Sequence, residues 1–318
     1  MVTGGGSAPR REPDLPYNGL ALDRAAGRRG SAAWRRGVAG RPGSLVIPMW
    51  RDKCLVSGAG RELVTMAVAD WPGLDGDRAG DAAMLVFLGL DGEAGLFAVD
   101  LSALDEAAAL RLAGADAVAD TRSLFGGLSA QRAAALAYAR GLLRWHRDQR
   151  CCGACGAPAQ IQAGGHERAC TGAGCGRLLF PRIEPAVIVV VEAPGPPPRC
   201  LLGRHSGAAA DAYALIAGFV DIGESLEDAV RREVGEETGV GVGEVRYAGS
   251  QAWPFPAGLM VGFRARATGE AIAVDHDELA DARWFSRPEL AAHRAARPRT
   301  HGDSIGTALL DAWLAEGG

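Results

Sequence analysis

The chain has 318 residues, 48% of them hydrophobic and 23% charged, with a formal net charge of −4. That profile fits about two ordinary globular domains and excludes a disordered, collagenous or coiled-coil chain. It also excludes a generally basic nucleic-acid binder, while remaining compatible with a local basic patch.

Residues 1–44 form an Arg- and Gly-rich extension whose start reads as disordered. Asn18 to Trp34 reads as a turn leading into a short helix. Residues 45–150 read as a small α+β domain, with strands over 45–50, 83–90 and 95–100. The last two are joined by Asp91-Gly92, a hairpin signal. Helices are expected over 104–113, capped by Ser102, and over 130–146, where apolar residues recur at helical spacing. Nothing in this region carries a catalytic constellation. No run of 18 apolar residues occurs, and no apolar leader follows Met1. The expectation is an intracellular, cytoplasmic protein with no membrane partner.

Seven cysteines are too few for a disulfide scaffold in a chain this long, yet five of them fall between Cys151 and Cys175. In a reducing compartment such clusters bind metal more often than they pair. Within residues 151–182 the spacing is Cys152-x2-Cys155, fourteen residues, then Cys170-x4-Cys175. Two short-spaced pairs of this kind are a strong signal for a structural Zn²⁺, because four thiolates complete a tetrahedron and leave no position open for a substrate. Gly153 and Gly156 permit the tight knuckle and favour Cys152 over Cys151 as the ligand. So short a segment has no core of its own, and metal binding would supply its folding energy. Cys54 and Cys200 read as small apolar residues in strands.

Residues 183–318 begin with strands over 186–192 and 200–203 joined by a Pro-rich turn. The most specific stretch follows, from Gly218 through Glu224, Arg232, Glu233, Val234, Glu236, Glu237 and Gly239 to Val240. Ser225 and Asp228 make a helix start, Ala229, Val230 and Val234 can bury one side, and Gly239 suits a C-terminal cap. Glu233, Glu236 and Glu237 stand at i, i+3 and i+4, so all three are expected on one face. Crowded carboxylates repel one another and suit a hard divalent cation such as Mg²⁺ or Mn²⁺.

That stretch matches, at every fixed position, the pattern G-x5-E-x7-R-E-U-x-E-E-x-G-U and resembles the Nudix box. The resemblance implies an α/β/α Nudix sandwich and metal-dependent hydrolysis of a nucleoside diphosphate linked to another group. It implies Glu233 and Glu237 as metal ligands, Glu236 as a further ligand or an outer partner, and Glu237 as the residue activating water, directly or through a bound metal, with two or three cations on the pyrophosphate. Arg232 would orient the glutamates by ion pairing.

Past the box, Ser250-Gln251-Ala252-Trp253-Pro254-Phe255-Pro256-Ala257-Gly258 is similar to the S-Q-P-W-P-F-P-x-S signature of NudC-type NADH pyrophosphatases, with Ala252 and Gly258 departing from it. A Trp and a Phe stiffened by two prolines make a preformed wall for a flat ring. The order of an N-terminal domain, a four-Cys ribbon and a Nudix domain also resembles that subfamily, as do residues 142–146 and Phe180-Pro181-Arg182, where Phe180 replaces the usual Tyr. The resemblance implies a homodimer and a nicotinamide ring clamped between Phe180 and Phe219, leaving open whether both come from one subunit. It implies a further metal ligand at Glu278, with Asp277 and Asp281 as close rivals, and a substrate-contacting turn at Ser304-Ile305-Gly306.

The activity so implied is cleavage of NAD(H) to NMN(H) and AMP, extending to the chemically equivalent NAD cap of RNA. The alternatives are a broader Nudix hydrolase acting on ADP-ribose or other dinucleotides, and an RNA-binding zinc-ribbon protein with a vestigial box.

Overall fold

The computed structural model describes residues 15–59, 61–71, 85–296 and 303–316. The expected disordered start and the first residues of the strand expected over 83–90 lie outside these. The chain divides into two compact units. One, here the N-terminal unit, holds residues 16–183 together with the loop Trp253–Ala257; the other, the C-terminal unit, holds Leu15 and the rest of the chain from Glu184 onward.

The N-terminal unit runs α1 (Ala32–Ala39), β1 (Leu45–Trp50), β2 (Lys53–Ser57), β3 (Glu62–Leu63), β4 (Met66–Ala67), β5 (Val86–Asp91), β6 (Ala94–Asp100), α2 (Glu106–Ala113), β7 (Ala117–Ala119), α3 (Thr121–Phe125) and α4 (Ala130–Asp148). Strand β1 is central in a mixed sheet, parallel to β6 and antiparallel to β2 and β4. All of its residues after Leu45 are buried, as a strand covered on both faces requires. The cap of α2 differs from expectation. Asp105 accepts from the Ala108 amide and starts the helix at Glu106, while the Ser102 hydroxyl bonds Asp100 and the Arg51 amide instead. An Asp one residue before the first helical position reaches the free amides that Ser102, three residues further back, does not. Helix α4 is capped by Ser129 and buries its alanine face with Leu142, Leu143 and Trp145.

Three short strands close this unit: β8 (Ala159–Gln162), β9 (Glu167–Cys170) and β10 (Leu178–Leu179), all antiparallel. They are tied to α4 and β5 by buried polar groups. Arg168, 2% exposed, donates to the His146 ring at 3.1 Å and to the carbonyls of Ala159 and His146. His166 bridges the Tyr138 hydroxyl and the Phe87 carbonyl.

The C-terminal unit runs β11 (Glu184–Glu192), β12 (Arg199–His205), β13 (Ile216–Phe219), α5 (Leu226–Thr238), β14 (Val242–Trp253), β15 (Gly258–Ala267), β16 (Leu279–Ser286), α6 (Arg287–Ala295) and α7 (Ile305–Ala315). Strand β11 pairs with β15 in parallel and with β12 and β13 antiparallel; β12 also pairs with β16. Alternation along the strands sends side chains to opposite faces. Val187, Val189, Val191 and Leu201 meet Ala229, Val230 and Val234 of α5, while Val190, Cys200 and Leu202 meet Leu290 of α6 and Leu309 and Trp313 of α7. The result is an α/β/α sandwich. Burying each of these large side chains contributes about 1.5–3 kcal/mol. Among the described residues no helix is long and apolar enough to cross a membrane.

Candidate active site and metal centre

Helix α5 carries the carboxylates. Ser225 caps it, accepting from the Asp228 amide, and Gly239 ends it at φ 67°, where a Cβ would press on Ala273. The chain after β15 returns to this helix end: the Ala273 amide bonds the Thr238 carbonyl and the Asp275 amide bonds the Glu237 carbonyl. That return sets residues 275–279 beside the last turn and brings Glu278 within electrostatic reach of Glu233 and Glu237. Of its rivals, Asp281 accepts from the Tyr213 hydroxyl, while Asp277 is exposed, as Glu278 itself is.

Glu237 is 2% exposed and its Oε2 is buried with no hydrogen-bond partner among the described residues. Burial first, then the charges of Glu233 and Glu278, push its carboxyl up to about 7. Burial also raises Glu233, against the lowering effect of Arg232. Glu236 is different: its side chain is 61% exposed. The three carboxylates therefore do not share one buried face. A helix turns about 100° per residue, so the neighbours 236 and 237 diverge while 233 and 237 stay about 40° apart.

Arg232 organises the set. Its Nε and Nη2 grip Glu224 at 3.0 and 2.7 Å, and Nη1 reaches Glu233 at 2.9 Å and Glu236 at 3.0 Å. Nη2 also bonds the Phe219 carbonyl at 2.8 Å, fixing the end of β13. The Arg232 guanidinium, with the Asp221 amide, holds the Glu224 carboxyl down at about 2. Glu224 has no assigned role in the sequence reading; its signal was its fixed place in the box. Gly218 is explained as well, since a Cβ there would collide with the Glu233 carboxyl group.

A desolvated carboxylate oxygen with no partner, beside two further carboxylates, is a donor set for a hard divalent cation. The residues present fit one.

The other expected contacts fall in two places. In the C-terminal unit Phe219 is 62% exposed on β13. Gln251, expected to touch substrate, is fully buried, with Nε2 donating to the Asp303 carbonyl and Oε1 accepting from the Ile305 amide, both at 2.7 Å. It clips the start of α7, where Gly306 lets Ile188 of β11 approach. Ala252 and Gly258 are half-buried at the ends of β14 and β15. In the N-terminal unit Phe180 is 62% exposed. The loop Trp253–Ala257 packs there too: Trp253 and Phe255 meet edge to face at 5.2 Å, Tyr17 and Phe125 pack on them, and Arg140 donates to the carbonyls of Pro254 and Pro256.

The ribbon brings Cys152, Cys155, Cys170 and Cys175 together with their sulfurs within 4.8 Å of one another. The Ala154 and Cys155 amides hold the Cys152 thiol down at about 6. At Cys170 the Gly172 amide favours the thiolate, but burial and the three neighbouring thiols outweigh it and push the thiol up to about 12. Four sulfurs so crowded cannot all ionise without a cation, and a soft tetrahedral one fits. Cys151 is exposed outside the cluster. Burial pushes Cys54 up to about 11 and Cys200 up to about 12, so both stay protonated.

Residues 182–303 match the NUDIX domain family. These residues are a NUDIX domain. Residues 43–145 match the NADH pyrophosphatase-like rudimentary NUDIX domain. The chain is 41% identical over 180 residues to the NAD-capped RNA hydrolase NudC of Pseudomonas aeruginosa, spanning 57% of this chain and 61% of that protein. It is 41% identical over 169 residues to the NAD-capped RNA hydrolase NUDT12 of Homo sapiens, spanning 51% and 36%. The chain thus spans about a third of the longer curated relatives it matches. Among solved structures, a NUDIX hydrolase from Nitrosomonas europaea superposes with a TM-score of 0.42 at 20% identity, over 53% of this chain and 92% of that one.

Proposed function

We propose that this protein hydrolyses the pyrophosphate bond of NAD(H). Water adds at phosphorus and the bridging P–O bond breaks, giving NMN(H) and AMP. The same bond in the NAD cap at the 5′ end of RNA is a second form of the substrate. The observation that carries the reading is the buried, partnerless Oε2 of Glu237 beside Glu233 and Glu278. The names of relatives 41% identical to the chain support the substrate class.

Glu233, Glu237 and Glu278 would hold Mg²⁺ or Mn²⁺, with Glu236 at the rim as a further ligand or an outer partner. A divalent cation there supplies charge neutralisation on the phosphates and a more acidic water. Glu237 is the residue that would take the proton of the attacking water. Arg232 keeps Glu233 and Glu236 in place while Glu224 anchors Arg232. Phe219 would stack the nicotinamide, and Phe180 keeps the stacking role that the resemblance gives it. Ala252, Trp253, Pro254, Phe255, Pro256, Ala257 and Gly258 would shape the adenosine side, Gln251 holds the turn at Gly306, and Cys152, Cys155, Cys170 and Cys175 would hold a structural Zn²⁺.

The division into an extension (1–44), an α+β domain (45–150), a ribbon (151–182) and a Nudix domain (183–318) belongs to the same proposal. So do a cytoplasmic setting, consistent with seven free cysteines, and a homodimer, which the exposed Phe219 and Ile222 favour.

The test compares NADH, NAD⁺, ADP-ribose and NAD-capped RNA with Mg²⁺ present, following AMP release from the first two. Glu237→Gln is expected to abolish turnover while zinc content and melting stay as in the parent. Preference for ADP-ribose would overturn the substrate, and an active Glu237→Gln protein would remove Glu237 from the mechanism.

A further inference from the structure

The N-terminal unit contains a cavity of about 750 Å³ formed wholly by its own residues. That volume lies in the range of small-molecule sites. Five guanidinium groups line it (Arg51, Arg144, Arg147, Arg150 and Arg168) against three carboxylates, Asp52, Asp100 and Asp148. The His146 ring on its wall accepts from Arg168 through Nδ1 and donates to the Gly165 carbonyl through Nε2, so it is neutral. The lining therefore carries a formal excess of two positive charges.

The carboxylates are engaged by only two of the arginines. Arg144 pairs with Asp52 at 3.0 Å and Asp148 at 3.3 Å, and Arg147 pairs with Asp52 and with Asp100 at 3.2 Å. Among the described residues Arg51 and Arg150 have no carboxylate partner, and both are exposed. The Arg51 guanidinium lies over the Trp50 ring at 4.4 Å, a contact that leaves its N–H edge available.

The backbone at the cavity is strained. Arg51 and Asp52 form the two-residue turn between β1 and β2, with φ of 49° and 64°. Such turns favour Asn-Gly, and a pair of side-chain-bearing residues persists there only when the surroundings hold it. Here Asp52 is held by three arginines of α4, its carbonyl accepting from Arg140 and its carboxylate from Arg144 and Arg147. The same contacts fix the guanidinium groups of Arg144 and Arg147 along the cavity wall.

We propose that this cavity is a binding site for a small phosphate-bearing anion, with Arg51 and Arg150 each taking a phosphate group. Arginine forks match phosphate oxygens in pairs. The preorganised wall of Arg144 and Arg147 adds positive field without being displaced from its aspartates. Leu143 and Ile161 leave an apolar side for the body of the ligand.

The probe is inorganic pyrophosphate, titrated calorimetrically into the full chain in buffer free of added divalent cation, where the carboxylates of α5 repel it. The parent is expected to bind one pyrophosphate per chain, more weakly as salt rises. Charge reversal in Arg51→Glu/Arg150→Glu is expected to weaken binding by roughly tenfold or more, since each lost contact is a hydrogen bond between charged groups. Arg51→Lys/Arg150→Lys, which keeps both charges but loses the paired N–H edges, is expected to bind more weakly than the parent and more tightly than the reversed variant. Glu237→Gln is expected to bind as the parent does, which separates this site from the carboxylate site whatever the fate of the NAD(H) assignment. No binding by the parent, binding indifferent to the reversal, or loss of binding in Glu237→Gln would each overturn the proposal. So would a single-stranded oligonucleotide that binds more tightly than pyrophosphate and is lost in the reversed variant.

Discussion

Replacing Gly218 by alanine tests the geometry of the carboxylate site with one methyl group. The new Cβ would occupy the space of the Glu233 carboxyl, which cannot simply yield because Arg232 grips it at 2.9 Å and β13 pairs with β11 at Gly218 itself. Either the carboxylate swings aside by about an ångström or the strand moves off the helix. Overpacking of this kind costs about 1–3 kcal/mol of stability. Misplacing a reacting group by about 1 Å costs roughly 10²-fold in rate. The expected protein is folded, modestly destabilised in urea, and about 10²-fold slower in kcat for Mg²⁺-dependent NADH hydrolysis, with KM changed far less. Full kcat together with unchanged stability would refute the argument that the absence of a side chain at 218 is what allows Glu233 to stand where it does.

Three further outcomes are expected. Arg232→Gln removes the partner that holds Glu224 at about 2 instead of its ordinary 4.5. A lowered carboxyl stabilises the fold fully above pH 4.5 and loses that contribution as pH falls through 2. The urea-measured stability gap between parent and variant should therefore be constant at neutral pH, narrow below 4.5 and close near 2; a gap independent of pH would contradict the pairing. Cys170→Ser should lower bound zinc from about one per chain to near none in a colorimetric release assay and raise hydrogen exchange across β8 and β9; retained zinc would show that three thiolates suffice. Gln251→Ala strips partners from the half-buried Asp303 carbonyl and the buried Ile305 amide and should cost about 2–4 kcal/mol in urea unfolding; a loss under about 0.5 kcal/mol would mean the clip is idle.

Much of this was legible in the chain because the signals are local. The helix over 226–238 announces itself by Ser225, its buried Ala229, Val230 and Val234, and Gly239. The cysteine spacing predicts a cluster because fewer than 25 residues separate its ends and a knuckle needs only nearby glycines. The helical period grouped Glu233, Glu236 and Glu237 but could not give their burial: Glu233 and Glu237 are buried, whereas the Glu236 side chain is 61% exposed. Ser102 was a plausible cap until Asp105, one position before the helix, took the free amide.

The sequence by itself determined the NUDIX box, the four-sulfur ribbon and the alternation that builds the sandwich, since each rests on residues a few positions apart. Tertiary structure decided what depends on distant segments meeting. Hydrogen bonds from the amides of Ala273 and Asp275 to the end of α5 brought Glu278 within electrostatic reach of Glu233 and Glu237. A buried amide turned Gln251 from an expected substrate contact into the clip of α7. The hairpin turn at Arg51-Asp52 gathered arginines of α4 around a cavity that no spacing in the chain foretells. The physical reason is that burial, which raises the Glu237 carboxyl, and the hydrogen bonds that keep His146 neutral belong to the packed core and not to any stretch of sequence.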